Sequence, residues 1–274
     1  MIHYLEFAPA SYLVPFVECI WTLRSHSLFF KKRELIIPGG RAEMIFNLGD
    51  AVDWIDSKDL SYTHCDTGAF LLGPRNRHFF VEHQGNINMI GVRFRHGGLM
   101  SFTSMPMRLV MNDVVTQDQI FGKDVDMLTQ QLYDAVEATQ MVTLIEQFLS
   151  KRFCGEARMK QTLQLISLVK ECDSEVSFKV LSDRTGVHYK KLERVFSQYT
   201  GYNPKNFSRV IRFYKALQEM KRSSASLTGI GLSRGYYDQA HFIRDFKSFT
   251  GKSPTQFHTE NPTIANLLLQ SKHV

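Results

Sequence analysis

The stretch TGYNPKNF (Thr200–Phe207) returns fifty residues later as TGKSPTQF (Thr250–Phe257). The match extends upstream at the same offset, through Leu192/Phe242, Arg194/Arg244 and Phe196/Phe246. Within the phrase itself Thr200/Thr250, Gly201/Gly251, Pro204/Pro254 and Phe207/Phe257 coincide. A repeated sequence unit is a repeated structural unit, so this self-similarity organises the C-terminal half of the chain.

Each copy reads as a short helix, a tight turn and a second helix. In the first, SFKVLSDR is helical and Gly186 ends it, since glycine accepts the left-handed conformation that closes helices. A second helix follows from about Tyr189 to Tyr199, with Leu192, Val195, Phe196 and Tyr199 on one face. In the second copy LTGIGLSR stops at Gly235, Asp238 is the N-cap, and Gln239–Phe249 is helical with Phe242, Phe246 and Phe249 as its apolar stripe. Upstream of these helices the offset is forty-nine (Leu181/Ile230, Gly186/Gly235), so the second turn carries one extra residue. The shared phrase is punctuation. Gly201 and Gly251 end helices, Asn203 and Ser253 cap the next ones, and Pro204 and Pro254 take a first position where a missing N–H costs nothing. PKNFSRVIRFYKALQEM then forms a longer helix joining the units, with Phe207, Val210, Ile211, Tyr214 and Leu217 along one face.

Charge follows the same division. The 274-residue chain carries a net +6, yet residues 156–258 hold 18 Lys+Arg against 9 Asp+Glu, and the remainder 15 against 18. A basic C-terminal part points to a polyanion partner. No apolar run approaches the ~18 residues of a membrane span, the N-terminus lacks the pattern of a signal peptide, and Cys19, Cys65, Cys154 and Cys172 form no CxxC pair. A reducing, cytoplasmic setting is expected.

Gly235–Phe257, GYYDQAHFIRDFKSFTGKSPTQF, resembles the C-terminal signature of the AraC/XylS family of bacterial transcription regulators, and the resemblance spans roughly Arg158 to His258. Ala240, Tyr236 and Gly231 depart from the family's usual serine, phenylalanine and alanine, and His188 stands where a serine cap is usual. Without another capping group that would weaken the first recognition helix by ~1 kcal/mol. The resemblance implies two helix-turn-helix units on one connecting helix, each presenting a recognition helix to the major groove of double-stranded DNA. It places Lys190, Glu193 and Arg194 at the bases in the first unit, and Gln239, Ala240, His241 and Arg244 in the second. The chemistry agrees: arginine matches guanine, glutamine adenine, glutamate cytosine, and alanine the thymine methyl.

The first ~115 residues hold short β-type runs (WTLR, EMIFNLG, GAFLLG, HFFVEH, INMIGVRFRH) between turns, which predicts a sandwich or barrel. LIIPGGRAEMIFNLGD and IGVRFRHGGL resemble, more faintly, the degenerate cupin-like sensor domain attached to some of these regulators. From Asp124, VDMLTQQLYDAV (Leu128, Leu132, Val136) and MVTLIEQFLSKRF (Val142, Ile145, Leu149) read as amphipathic helices and as candidates for a dimer contact. The expectation is therefore an α+β chain: a cupin-like sensor domain over 1–120, a helical connector over 121–155, a double helix-turn-helix domain over 156–258 and a tail over 259–274. The resemblance implies a sequence-specific regulator whose N-terminal domain acts through a small-molecule effector or through dimerisation, with a homodimer and RNA polymerase as the expected partners beside DNA. Two alternatives stand beside it: a cupin-type metalloenzyme fused to a DNA-binding domain, and an adaptor answering to a protein. For the metalloenzyme, His78, Glu82 and His83 come nearest to a ligand set, but five positions along a strand put the two histidines on opposite sides and no His-x-His pair is present. No catalytic residue, metal or cofactor is expected. Among Arg75, Arg77, Arg93 and Arg95, an inward-facing one would suit an acidic effector, against a structural ion pair or a solvated edge for the rest.

Overall fold

The computed structural model describes residues 2–25, 31–116, 118–157, 159–160, 163–164, 178–222 and 226–260. Residues 261–274 of the expected tail and most of the 155–177 segment therefore lie outside the described residues.

Ten strands form the N-terminal half: β1 (His3–Phe7), β2 (Val17–Ser25), β3 (Lys31–Ile36), β4 (Glu43–Asn47), β5 (Val52–Asp56), β6 (Tyr62–Cys65), β7 (Gly68–Leu72), β8 (Phe79–Gln84), β9 (Ile87–Phe94) and β10 (Val114–Thr116). They make two antiparallel sheets, ordered β1-β2-β9-β4-β7-β10 and β3-β8-β5-β6. Trp21, Ile45, Leu72 and Met89 of the first sheet meet Trp54, Phe79 and Val81 of the second in a shared interior. Alternate residues of the larger sheet, among them Ile20, Phe46, Leu71 and Val92, point the other way into a second core. That sheet is buried on both faces, so β2 and β9 are buried along almost their whole length, polar Glu18, Thr22 and Arg93 included.

The short helix α1 (Asp118–Phe121) precedes α2 (Asp124–Asp134) and α3 (Ala138–Ser150), whose buried Leu128, Leu132, Ile145 and Leu149 join this second core. Val136 does not belong to the stripe predicted for it: α2 ends at Asp134, Ala135 turns extended, and Val136 is 80% exposed. The strand runs named in the sequence correspond to β2, β4, β7, β8 and β9, with His78 just outside β8.

The C-terminal half is helical: α4 (Phe178–Thr185), α5 (Tyr189–Thr200), α6 (Pro204–Arg222), α7 (Leu227–Ser233), α8 (Gln239–Thr250) and α9 (Pro254–Glu260). The joining helix α6 is buried on two faces rather than one. Phe207 meets Phe196 of the first unit at 5.2 Å between ring centroids, and Phe213 meets Phe249 of the second at 4.8 Å.

The two halves share one core. The hydroxyl of the buried Tyr202 donates to the carbonyl of Arg75, and Phe207 takes the ring of His96 at 5.0 Å. The Arg41 guanidinium lies 4.9 Å from the centre of the Tyr214 ring on α6. Gly201 rests against Met107 and Pro74, and Gly251 against His78, so both repeated turns touch the sandwich.

Candidate DNA interface

Local chemistry positions α5 and α8 alike. Gly186 and Gly235 hold φ of 66° and 76° in the turns that precede them. In the first turn the Ser182 hydroxyl donates to the Val187 carbonyl at 2.8 Å. His188 caps α5 itself, its Nδ1 accepting from the Lys190 amide at 3.3 Å, so the loss expected of an uncapped start is relieved by the residue that raised it. Asp238 caps α8, accepting from the His241 amide at 2.6 Å. The helices close on Gly201 (φ 80°) and Gly251 (φ 73°). Asn203 then accepts from the Asn206 amide at 2.8 Å, while Ser253 and Gln256 exchange bonds in a capping box.

The buried sides are those predicted. Leu192, Phe196 and Tyr199 are buried on α5, and Phe242, Phe246 and Phe249 on α8, with Val195 half-buried. On the opposite sides Lys190 and Arg194 are exposed, as are Gln239, Ala240 and Arg244, whereas Glu193 is half-buried. His241 is half-buried too: its Nδ1 faces the Tyr237 amide at 3.5 Å and its ring stands edge-on to Tyr236 at 5.1 Å. With Nδ1 accepting, a neutral His241 keeps its proton on Nε2, which leaves a donor on the ring.

Three side chains that the repeat did not single out fix the second unit on α6. Arg209 donates to the buried Asp245 of α8 at 2.7 Å, Arg212 donates to the Gly235 carbonyl at 3.0 Å, and Arg234 pairs with Glu219 at 2.5 Å. Arg209 and Arg212, three residues apart on one helix, were the legible part of this arrangement. Two similarly capped helices thus present polar faces from a frame tied by aromatic packing and a half-buried ion pair. Such faces suit base edges, and the amides at the helix starts suit phosphate.

The sandwich has polar groups of its own. Arg93, 2% exposed, donates to Glu43 at 3.0 Å and Glu6 at 3.2 Å, and Glu43 also accepts from the Trp21 indole at 2.9 Å. Arg77 binds Asp56, whose carboxyl is held below its ordinary range by that bond, and the Arg95 Nε donates to the Val14 carbonyl. His83 is buried on the interior side and Glu82 pairs with Arg33 on the other, as strand alternation requires. Burial pushes the His83 imidazole down to about 4. Among the described residues no group of three or more His, Cys, Asp or Glu side chains could hold a metal ion. No described helix is long and apolar enough to cross a membrane.

Residues 181–260 match a family described as a helix-turn-helix domain, and residues 5–116 match a domain of unknown function (DUF6597). An uncharacterized HTH-type transcriptional regulator of Haemophilus influenzae is 28% identical over 93 residues, 34% of this chain and 31% of that protein. The HTH-type transcriptional activator RhaS of Pectobacterium carotovorum is 22% identical over 217 residues, 72% of this chain and 77% of that one. The chain thus spans about a third of the length of the first relative and three quarters of the second. The solved structure of ToxT from Vibrio cholerae is similar over 94% of this chain and 97% of its own, at 14% identity and a TM-score of 0.48. A two-unit fold built on the signature at Gly235–Phe257, a matched helix-turn-helix domain and curated regulators as relatives together make residues 181–260 a helix-turn-helix domain similar to those of HTH-type transcriptional regulators.

Proposed function

We propose that this chain regulates transcription by binding DNA in a sequence-specific way, with α5 and α8 entering successive major-groove segments. The supporting observation is that two similarly capped helices leave Lys190 and Arg194 on one, and Gln239 and Arg244 on the other, open to solvent on a common frame. Arg194 and Arg244 each read a guanine, Gln239 an adenine and Ala240 a thymine methyl. Glu193 and His241 make narrower contacts from their half-buried positions, and Lys190 serves base or phosphate. Successive segments on one face of the duplex lie ~34 Å apart, and bending of the DNA accommodates any shortfall.

In this reading residues 1–120 form the sensor domain, 121–155 the connector and 156–258 the DNA-binding domain. A small effector, or pairing of two chains through α2 and α3, changes how the DNA-binding domain is presented, and RNA polymerase responds according to where the site lies. The reading is of a cytoplasmic regulator and assigns no catalytic step.

Selection of a site from a randomised duplex pool by the full chain tests it. The expected product is an asymmetric site with two short conserved blocks centred about one helical turn, ~10 base pairs, apart. A duplicated site indicates a dimer. No enrichment by folded protein refutes the reading.

A further inference from the structure

A cleft of about 210 Å³ opens between the larger sheet and the junction of α2 with α3. The sheet contributes Arg24 and Asn88, which stand opposite each other on β2 and β9, and the turn before β9 adds Asn86. The helical junction contributes an apolar wall, chiefly Ala135, Val136 and Met141. No acidic side chain lines the cleft.

The polar wall is short of partners. Arg24 is half-buried; its Nη2 meets the Met141 thioether at 3.6 Å, and its Nε is buried without an acceptor. Among the described residues no carboxylate pairs with it, and the half-buried Asn86 and Asn88 make no side-chain hydrogen bond. The acids closest in sequence are exposed: Asp50 accepts from the Asn86 backbone amide at 2.6 Å, Asp134 from Gln130 at 3.4 Å, and Glu137 follows Val136. A guanidinium stays charged and carries five donors, for which a thioether is a poor acceptor. Buried donors are almost always matched, and a planar guanidinium matches a carboxylate best. Opposite these groups Val136 leaves an apolar rim 80% exposed.

We propose that this cleft binds an N-acylated apolar amino acid, with its carboxylate on Arg24, its amide on Asn88 and its side chain against Ala135, Val136 and Met141. Opposed residues on neighbouring strands hold their Cβ atoms ~4.5–5.5 Å apart, so the guanidinium and the carboxamide reach groups that are close neighbours on one ligand. A primary amide offers both a donor and an acceptor, and so pairs with the ligand's amide in both directions. One unpaired cation suits a monoanion better than a phosphate ester, which carries nearly two charges. The ammonium of an unacylated amino acid finds no acid in these walls. Since ~10–15 Å³ of such space holds one water, a ligand of about ten to fifteen heavy atoms fits, the size of acetylated valine, leucine or methionine. The site deepens the regulator reading and rests on it for its consequence. One wall is the sheet and the other is the junction of the two helices proposed to pair chains, so a ligand that joins the walls favours one placement of those helices.

The test titrates the full chain with N-acetyl-valine, N-acetyl-leucine and N-acetyl-methionine. Each is compared with its C-terminal amide, which lacks the charge, and with the desamino acid of the same carbon skeleton, which lacks the amide. The expected result is that at least one acetylated acid binds tighter than both comparison compounds. Arg24→Gln, with its melting temperature checked, weakens that acid by about ten- to hundredfold, the value of a charge-assisted bond. Asn88→Leu removes the preference over the desamino acid and keeps the preference over the amide. If no acetylated acid outperforms its amide on the wild-type chain, or if folded Arg24→Gln binds it as tightly, the site is refuted. A peptide ending in the same residue separates two sources of this chemistry: equal affinity supports a free acylated amino acid, and a gain of tenfold or more assigns the cleft to the C terminus of a partner instead. Selection of a duplex is scored without ligand, so a chain that selects DNA but ignores every acid loses this site alone. One that binds an acid and selects no duplex loses the regulator reading and keeps the cleft's chemistry.

Discussion

Replacing Gly201 by alanine tests whether the repeated turn supports the sandwich as well as ending a helix. Gly201 sits at φ 80°, and a Cβ there would lie 3.2 Å from the Met107 carbonyl oxygen and 3.6 Å from Pro74. Gly186 shares the left-handed conformation at φ 66° but has no neighbour within 4 Å of an added Cβ, so it isolates the backbone effect. Alanine in this conformation costs ~1–2 kcal/mol at either position. At Gly201 the crowded atom is backbone within a short helical turn, Met107–Leu109, and cannot rotate away. Overpacking of that kind adds ~1 kcal/mol. Gly251→Ala falls between the two, because its contact at 2.9 Å is the far end of the His78 ring. Thermal melts of the full-length variants should place Gly201→Ala about 2–4 °C below Gly186→Ala. Hydrogen exchange should also quicken at residues 107–110 in Gly201→Ala alone. Equal melting losses with unchanged exchange would show that the turn does not bear on the sandwich in solution.

Other outcomes follow from the same geometry. Arg194→Ala and Arg244→Ala should each weaken binding to the selected duplex by ~1–3 kcal/mol and relax specificity at one base position, whereas uniform loss over all sequences would make them phosphate contacts. Arg93→Met should destabilise the chain by about 3–5 kcal/mol, because Glu43 and Glu6 lose their partner in a largely buried site; adding Glu6→Gln and Glu43→Gln should restore part of it in urea melts. His83 keeps its neutral form in the fold, with its imidazole at about 4, while the unfolded chain takes up a proton near 6.5. The unfolded state thus binds more protons between those values, and stability should fall by about 2 kcal/mol from pH 7 to pH 5 through this group. His83→Met should flatten that slope, and an unchanged slope would refute the assignment.

The parts of this fold that were legible in the sequence are those whose residue types have a backbone reason to be where they are. Glycines at positive φ, prolines at helix starts and Asn, Ser or Asp caps marked the ends of α5 through α9, and the aromatic stripes gave their buried faces. Strands β2, β4, β7, β8 and β9 were legible because their apolar content is set by burial in a core. In contrast β3, KKRELI, is mostly charged and β6, YTHC, mostly exposed; pairing to β8 and β5 makes them strands, and no local signal reports that. Val136 misled because helical spacing continues for two residues after the backbone has left the helix. Contacts between the halves were beyond reach for a related reason. Tyr202 and Arg75 are 127 residues apart, and Tyr202, although inside the repeated phrase, is not one of its shared positions, since Lys252 stands there in the second copy. The TG phrase could be explained in full as helix punctuation, so nothing in it called for a second role. Yet a glycine in that phrase removes a Cβ as well as permitting a positive φ, and it is the missing Cβ that lets Met107 and Pro74 close on Gly201 and His78 on Gly251. The first property is read from one chain segment and the second only from two, which is why the sequence revealed how each helix stops and the structure revealed what rests on the stop.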